Sequence, residues 1–256
     1  MRLGFIGTGK IASSVITGVC NSKISFNKIL VSPRNRSVAQ KLKRKFRKVS
    51  IAKNNQEIVN SCNWVFLAVT PKVGKKIISS LKFRSNQKVI SFIATINLAQ
   101  LKRTLGKKIK IVRALPLPPI SLRKGPVPIC PPDEKVKNFF NHLGIAVEIS
   151  NEKLFTNFWC MTAMMAPYYE ILNTLSKWLS SKGLKKADTQ KYITSLFFAM
   201  SEDAVVNSKK DLKILVKNSQ TPRGLNEQAL NELKKLGFYK LLNKVANSIL
   251  IRLNKV

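Results

Sequence analysis

Carboxylates are scarce in this sequence. Its 256 residues include 12 Asp and Glu against 46 Lys and Arg, which gives a formal net charge of +34. This excess of cations excludes an acidic scaffold and favours rapid capture of anionic small molecules. Nucleic-acid binding is the competing interpretation, but the cations are spread along the whole chain and alternate with apolar residues at helical spacing, as in segment 41–48. We expect no specific nucleic-acid partner.

Histidine, cysteine and long apolar runs are also rare. His142 is the single histidine, and the four cysteines are widely spaced: Cys20, Cys62, Cys130 and Cys160. These spacings favour buried, unpaired thiols and predict no metal site. The apolar runs are strand-sized, far below the roughly 18 residues of a membrane span. The short run at the start of the chain also lacks the apolar core of a signal peptide. We expect a cytoplasmic protein with no membrane segment.

Apolar runs alternate with helical patterns through residues 1–150. Strand-like runs occupy 2–6, 28–31, 64–69, 89–93 and 109–112, and helical spacing separates most of them. This alternation predicts an α/β fold with a Rossmann-type, doubly wound parallel sheet that helices cover on both faces. Ser37 is the expected N-cap of the second helix. The prolines between Pro116 and Pro132 are expected to break regular structure, with a last strand at 146–149.

Residues 151–256 have a helical pattern that is unusually apolar. The stretches 154–165 and 192–200 carry too many large apolar side chains for a helix surface that faces water. A ligand-binding surface is one interpretation, but buried helix–helix contacts are the more common use of such stripes. We therefore predict two domains, a nucleotide-binding domain at 1–150 and an all-helical dimerisation domain at 151–256.

A glycine-rich turn joins the first strand to the first helix. Gly7-Thr8-Gly9-Lys10-Ile11-Ala12 matches the G-x-G-x-x-A form of the dinucleotide fingerprint. In this motif the first glycine permits the tight turn, the second lets a pyrophosphate approach the backbone, and the small final residue lets helix and strand pack. The helix N-terminus then offers free N–H groups to the anion. This segment is the predicted cofactor-binding turn.

The end of the second strand decides which dinucleotide is preferred. An NAD-binding chain carries an Asp or Glu there, about 20 residues after the turn, whereas this chain has Ser32, Arg34 and Asn35. A guanidinium pairs with a 2′-phosphate that a carboxylate would repel, so we predict NADPH as the cofactor. Two loops after later strands are also expected to approach it, Ala68-Val69-Thr70-Pro71-Lys72 and Ala94-Thr95.

The order of these motifs resembles the pyrroline-5-carboxylate reductase family over nearly the entire chain. Besides the segments above, the resemblance rests on Asn55, Val112-Arg113-Ala114-Leu115-Pro116, Ala166-Pro167-Tyr168 and Thr221-Pro222-Arg223-Gly224. It implies an N-terminal Rossmann domain in which Asn55 also contacts NADPH. It implies in addition a helical domain that interlocks with a second copy, in a homodimer or a higher homo-oligomer. The implied reaction is reduction of the cyclic imine 1-pyrroline-5-carboxylate to proline.

The same resemblance implies the substrate residues and shows where this chain departs from the family. The family's substrate loop usually reads Ser-Pro-Gly-Gly-Thr-Thr, and here it reads Thr221-Pro222-Arg223-Gly224-Leu225-Asn226. We expect this loop and Pro167 to bind the anionic imine. Thr221, Asn226, Tyr168 or water would protonate the ring nitrogen. Leu117 and Leu225 stand at usually polar family positions. A different cyclic imine, a ketoacid substrate and a nucleotide-binding regulatory protein without catalysis are therefore alternatives.

Hydroxyacid dehydrogenases, which combine a Rossmann domain with helices, are a further rival class. Their catalytic lysine lies in a glycine-rich context, and Lys177 lacks that context. Because NADPH supplies the hydride in imine reduction, the protein contributes mainly placement and needs no catalytic triad.

Overall fold

Residues 1–254, the part of the chain that the computed structural model describes, form eight β-strands and twelve α-helices. The strands are β1 Arg2–Ile6, β2 Lys28–Val31, β3 Val49–Ile51, β4 Trp64–Leu67, β5 Lys88–Ser91, β6 Lys110–Ala114, β7 Pro126–Cys130 and β8 Ile145–Glu148. The helices are α1 Lys10–Cys20, α2 Arg36–Lys45, α3 Asn55–Ser61, α4 Pro71–Ser79, α5 Leu98–Leu105, α6 Glu134–Asn141, α7 Glu152–Met161, α8 Met165–Ser181, α9 Lys186–Val206, α10 Leu212–Asn218, α11 Leu225–Lys235 and α12 Phe238–Asn254.

The strands form one sheet in the order β3-β2-β1-β4-β5-β6-β7-β8. All neighbours from β3 to β6 pair in parallel, which confirms the predicted doubly wound sheet. The chain begins at β1 and winds first towards β3 and then, from β4 on, in the opposite direction. The carboxyl ends of β1, β2 and β4 therefore surround the switch point, where ligands bind in folds of this kind.

The two strands at the far edge run against the first six. β7 is antiparallel to β6, and β8 is parallel to β7. The prediction that prolines break regular structure throughout 116–132 is thus wrong at β7. Only Ile129 and Cys130 are in register with β6, and Pro128 takes part through its carbonyl, which accepts the Leu115 N–H at 3.0 Å. A strand that contributes acceptors there tolerates the missing proline N–H.

Alternating side chains build a core on each face of the sheet. On β1, Leu3 and Phe5 belong to one buried cluster, and Ile6 belongs to the other. Phe5 is the register partner of Phe66 on β4, and the two rings stack with centroids 4.4 Å apart. Each fully buried side chain of this size contributes about 1.5–3 kcal/mol. This packing fixes the strand ends that carry the glycine-rich turn.

The described chain divides into two compact units. The first comprises Met1–Trp159 and the second begins at Cys160. The division falls inside α7, later than the predicted boundary after residue 150. Phe155 of α7 is buried in a cluster with Leu115 and Ile149, which attaches most of the helix to the first unit.

Large apolar side chains are exposed on the helices of the second unit. Trp178 on α8 is 58% exposed and Tyr192 on α9 is 61% exposed. In the stretch 192–200, predicted to be covered, Ile193 is buried, but Tyr192, Phe198 and Met200 are open to solvent in a single chain. Across the described chain, no helix is long and apolar enough to cross a membrane.

The four cysteines are free thiols. Cys62, Cys130 and Cys160 are buried, and Cys20 is half-buried. Burial raises the pKa of Cys20 and of Cys62 to about 11, so both stay protonated at neutral pH. Within residues 1–254, no group of three or more His, Cys, Asp or Glu side chains is placed to hold a metal ion.

Candidate functional site

The two positions of the turn carry glycine for different reasons. Gly7 has φ +97°, and a Cβ on it would lie 2.5 Å from the carbonyl oxygen of Ala68 on the neighbouring strand end. The fold itself therefore requires glycine at this position. Gly9 has an ordinary φ of −76°, and a Cβ on it would meet nothing within 4 Å among the described residues. Its small size leaves open space in front of the first turn of α1, where a pyrophosphate fits.

A cavity of about 430 Å³ opens at the carboxyl ends of β1, β2 and β4. Its lining in the described structure contains two arginines and no carboxylate. The lining residues are Gly7, Thr8, Gly9, Ser32, Arg34, Asn35, Arg36, Asn55, Ala68, Val69, Thr70, Val73 and Ile77. The structure thus brings the fingerprint turn, the end of β2, Asn55 and the β4 loop together around one space at the switch point of the sheet.

Hydrogen bonds join the polar side chains of this cavity. Ser32 Oγ donates to Asn55 Oδ1 at 2.8 Å, and Asn35 Nδ2 donates to the Thr8 carbonyl at 3.4 Å. Asn35 Oδ1 accepts the Val38 N–H at 3.4 Å, so Asn35 is the N-cap of α2. The prediction that Ser37 caps this helix is wrong, because the helix begins at Arg36 and Ser37 already lies in its first turn.

The charge of the cavity comes from Arg34 and Arg36. Both side chains are exposed, and Arg36 is the first residue of α2, where the positive end of the helix dipole adds to its charge. Sequence reasoning missed Arg36, although its position two residues after Arg34 at the end of β2 was the available signal. Together the two guanidinium groups can pair with a phosphate by charge-assisted hydrogen bonds.

The remaining residues predicted to bind the cofactor lie outside this lining. Ala12 is buried against the sheet, and Lys10 and Ile11 form the first turn of α1. Pro71 and Lys72 begin α4. Ala94 and Thr95 are half-buried in the loop between β5 and α5. Their roles stay predictions.

The predicted substrate residues lie on two segments of the second unit. Pro167 and Tyr168 are in the first turn of α8, and the Tyr168 ring packs edge-on against Phe197 at 6.2 Å. Thr221–Gly224 form the loop before α11, which begins with Leu225 and Asn226. Predicted contacts of these residues with a substrate also stay predictions.

The loop before α11 is held by hydrogen bonds. Arg223 has φ +58°, and its N–H donates to Glu227 Oε2 at 2.6 Å. The Asn226 Nδ2 group donates to the Ser219 carbonyl at 2.7 Å, so one of its two N–H groups is used within the protein. Leu225 is 84% exposed at the start of the helix.

Comparison with known proteins agrees with this geometry. Residues 2–95 match the family model described as NADP oxidoreductase, coenzyme F420-dependent. The pyrroline-5-carboxylate reductase of Pseudomonas aeruginosa is 22% identical over 256 residues, which cover 96% of this chain and 93% of that protein. Pyrroline-5-carboxylate reductase 2 of Bacillus subtilis is 24% identical over 243 residues, with 91% and 87% covered.

Solved structures show the same fold over both units. The pyrroline-5-carboxylate reductase of Coxiella burnetii superimposes with a TM-score of 0.85 at 22% identity, covering 99% of this chain and 97% of that one. The Plasmodium falciparum pyrroline carboxylate reductase with NADP bound gives a TM-score of 0.83 at 21% identity and the same coverage. Sequence matches to pyrroline-5-carboxylate reductases, and the fold shared with their solved structures, extend over nearly the full length of this chain.

Proposed function

We propose that this protein is an NADPH-dependent imine reductase that converts 1-pyrroline-5-carboxylate to proline, and that it acts as a cytoplasmic homodimer. The observation that carries the proposal is the cavity at the switch point of the sheet. It combines the glycine-rich turn with Arg34 and Arg36, and the described lining has no carboxylate. A phosphorylated dinucleotide suits this combination because each of its anionic groups meets a donor.

Different residues of the first unit suit different parts of the cofactor. The open space at Gly9 and the N–H groups at the start of α1 suit the pyrophosphate. Arg34 and Arg36 suit the 2′-phosphate of the adenosine ribose. The β4 loop at Ala68–Thr70 closes the other side of the cavity and would orient the rest of the dinucleotide.

Reduction of the imine requires a hydride at carbon and a proton at nitrogen. NADPH supplies the hydride when it is bound. The protein supplies orientation, and holding the reacting atoms at about 3–3.5 Å accounts for much of the rate enhancement in such reactions. Thr221 and Tyr168 are the better candidates for the proton donor, because their hydroxyl groups can both give and take up a proton, whereas the Asn226 amide offers only N–H groups, one of which is held by the Ser219 carbonyl. The Arg223 guanidinium and the N-terminus of α11 favour the substrate carboxylate.

Exposed apolar faces in the second unit support the homodimer. Trp178, Tyr192 and Leu241 are each more than half exposed, and a soluble monomer rarely keeps so many large apolar side chains in water. A second copy of the same chain covers such faces through a symmetric interface.

The test is turnover of purified protein with NADPH and 1-pyrroline-5-carboxylate, together with complementation of a bacterial proline auxotroph. We expect NADPH oxidation with formation of proline, and growth without added proline. The exposed Leu225 at a usually polar family position favours one competing outcome, activity on a different cyclic imine. A panel of five- and six-membered cyclic imines distinguishes the two. NADPH binding without turnover of any imine would contradict the enzymatic assignment.

A further inference from the structure

Arg113, near the end of β6, is a buried cation with several partners. Its residue exposure is 6%. Nη1 donates to Glu152 Oε1 at 2.7 Å, and Nη2 donates to the carbonyl of Ala94. The guanidinium carbon lies 4.6 Å from the centroid of the Phe155 ring. All of these residues belong to the first unit.

Glu152, the first residue of α7, completes the arrangement. Its Oε1 accepts the N–H of Leu98 at 2.7 Å as well as the Arg113 donor. Arg113 therefore holds the backbone at Ala94, and Glu152 holds it at Leu98, where α5 begins. The segment between these two points, residues 94–98, is fastened at both ends by one ion pair, which we call the staple.

The staple carries a free-energy cost that an ion pair serving only to stabilise the fold would not need. Arg113 Nε is buried and has no hydrogen-bond partner among the described residues, and such a donor costs about 1–3 kcal/mol. Well-packed apolar side chains often stabilise a core as well as a buried ion pair does. What the pair adds is a fixed backbone position for segment 94–98, which follows the carboxyl end of β5 at the edge of the sheet that carries the cofactor cavity.

We propose that Arg113 and Glu152 are positioning residues that hold segment 94–98 in the shape that receives the nicotinamide end of the cofactor. The proposal rests on the proposed function, because the cofactor contact of Ala94 and Thr95 is predicted from sequence. Neither residue of the staple takes part in the chemistry. Their effect passes through the backbone of the loop.

A second buried ion pair provides a matched control. Lys88, the first residue of β5, pairs with Asp133 at the opposite edge of the sheet. The side chains of this pair are 11% and 20% exposed, against 7% and 27% for Arg113 and Glu152. Lys88 also lies over an aromatic ring, with Nζ 5.5 Å from the Trp64 centroid. Lys88→Met thus removes the same kinds of contact as Arg113→Met, but far from the cofactor cavity.

The experiment compares two ligands on the full-length protein at a temperature where each variant is folded. The affinity for adenosine 2′,5′-bisphosphate depends only on the part of the cavity that binds the 2′-phosphate end of the cofactor. The affinity for NADPH depends also on the part that receives the nicotinamide. For Arg113→Met and Glu152→Met we expect NADPH affinity to fall about tenfold and bisphosphate affinity to stay within about twofold of wild type. Glu152→Gln keeps the acceptor for both N–H groups and restores most NADPH affinity. Lys88→Met lowers thermal stability and leaves the ratio of the two affinities unchanged.

Turnover provides a second readout. Loosening of the segment lowers kcat about 100-fold while KM for the imine changes little, because the reacting atoms lose alignment. An unchanged affinity ratio in both Met variants of the staple, or an equal selective loss in Lys88→Met, would overturn the proposal. Should wild-type protein bind NADPH but reduce no imine, the proposed function fails while the affinity ratio still decides the role of the staple. If Arg113→Met does not fold, the Glu152 pair of variants gives the same answer.

Discussion

Removal of the Arg34 guanidinium tests how the cavity selects a phosphorylated cofactor. Arg34 and Arg36 both line the cavity. In Arg34→Ala the 2′-phosphate of NADPH loses one of its two cationic partners. NADH has no phosphate at this position and loses no such contact. We therefore expect a selective effect on NADPH.

The size of the effect follows from the exposure of the contact. A hydrogen bond to a charged group contributes about 1.5–3 kcal/mol. Both arginines are exposed, so water and salt place Arg34 near the lower end. A loss of about 1.5 kcal/mol corresponds to roughly tenfold weaker NADPH binding. The double variant Arg34→Ala, Arg36→Ala is expected to lose about 100-fold and with it the preference for NADPH.

The assay is a fluorescence titration of NADPH and of NADH, reported as the ratio of the two Kd values at fixed ionic strength. Arg44→Ala is the control, because Arg44 is an exposed cation near the end of α2, the helix that follows Arg34, and lies outside the cavity lining. It removes the same unit of charge from a protein of net charge +34. An equal loss of NADH affinity, or an Arg44→Ala effect as large as that of Arg34→Ala, would refute the local phosphate contact.

Four further predictions concern the turn, the amino-terminal edge of the sheet and the second unit. Gly7→Ala should lower the free energy of unfolding by about 1–3 kcal/mol, because φ is +97° and the Cβ meets the Ala68 carbonyl. Gly9→Ser should leave urea denaturation unchanged but weaken NADPH binding, since serine is a good N-cap and its side chain fills the space in front of α1. Lys88→Met should cost about 1–3 kcal/mol at neutral pH, because it removes the cationic partner of the half-buried Asp133 carboxylate, which keeps its backbone hydrogen bond from Val136. Burial by itself would raise the pKa of Asp133. The hydrogen bonds from Lys88 and from the Val136 N–H outweigh burial, so the pKa lies below its ordinary 3.8. The wild-type stabilisation is therefore present above the ordinary pKa and is lost as pH falls through the lower folded value, and acid titrations of stability should be flatter in Lys88→Met. Trp178→Glu should convert a dimer into a monomer in sedimentation velocity, and a monomeric wild-type protein would contradict the proposed interface.

Five of the six parallel strands, all except β3, were predictable because they are largely buried on both faces. Such strands appear as nearly continuous apolar runs, as in Trp64–Leu67 and residues 3–6, and their spacing left room for crossover helices. The glycine-rich turn was also predictable, because its motif directly follows the first strand. The confirmed part of the prediction thus rests on local sequence pattern.

The features that sequence reasoning missed depend on partners distant in the chain or on backbone detail. β7 contains two prolines, and its pairing depends on a carbonyl acceptor that no propensity indicates. Asn35 outcompetes Ser37 as N-cap because the helix begins at Arg36. The staple joins Arg113 to Glu152, 39 positions later, and only the folded sheet brings them together.

Transfer of deuterium from C4-deuterated NADPH to the product tests the central claim most directly. The protein is incubated with 1-pyrroline-5-carboxylate and each of the two stereoisomers of the labelled cofactor, and the product is examined by mass spectrometry and NMR. The account predicts proline carrying one deuterium at C5 with one stereoisomer and unlabelled proline with the other. Proline without deuterium from both stereoisomers, or no proline from a protein that binds NADPH, would contradict it.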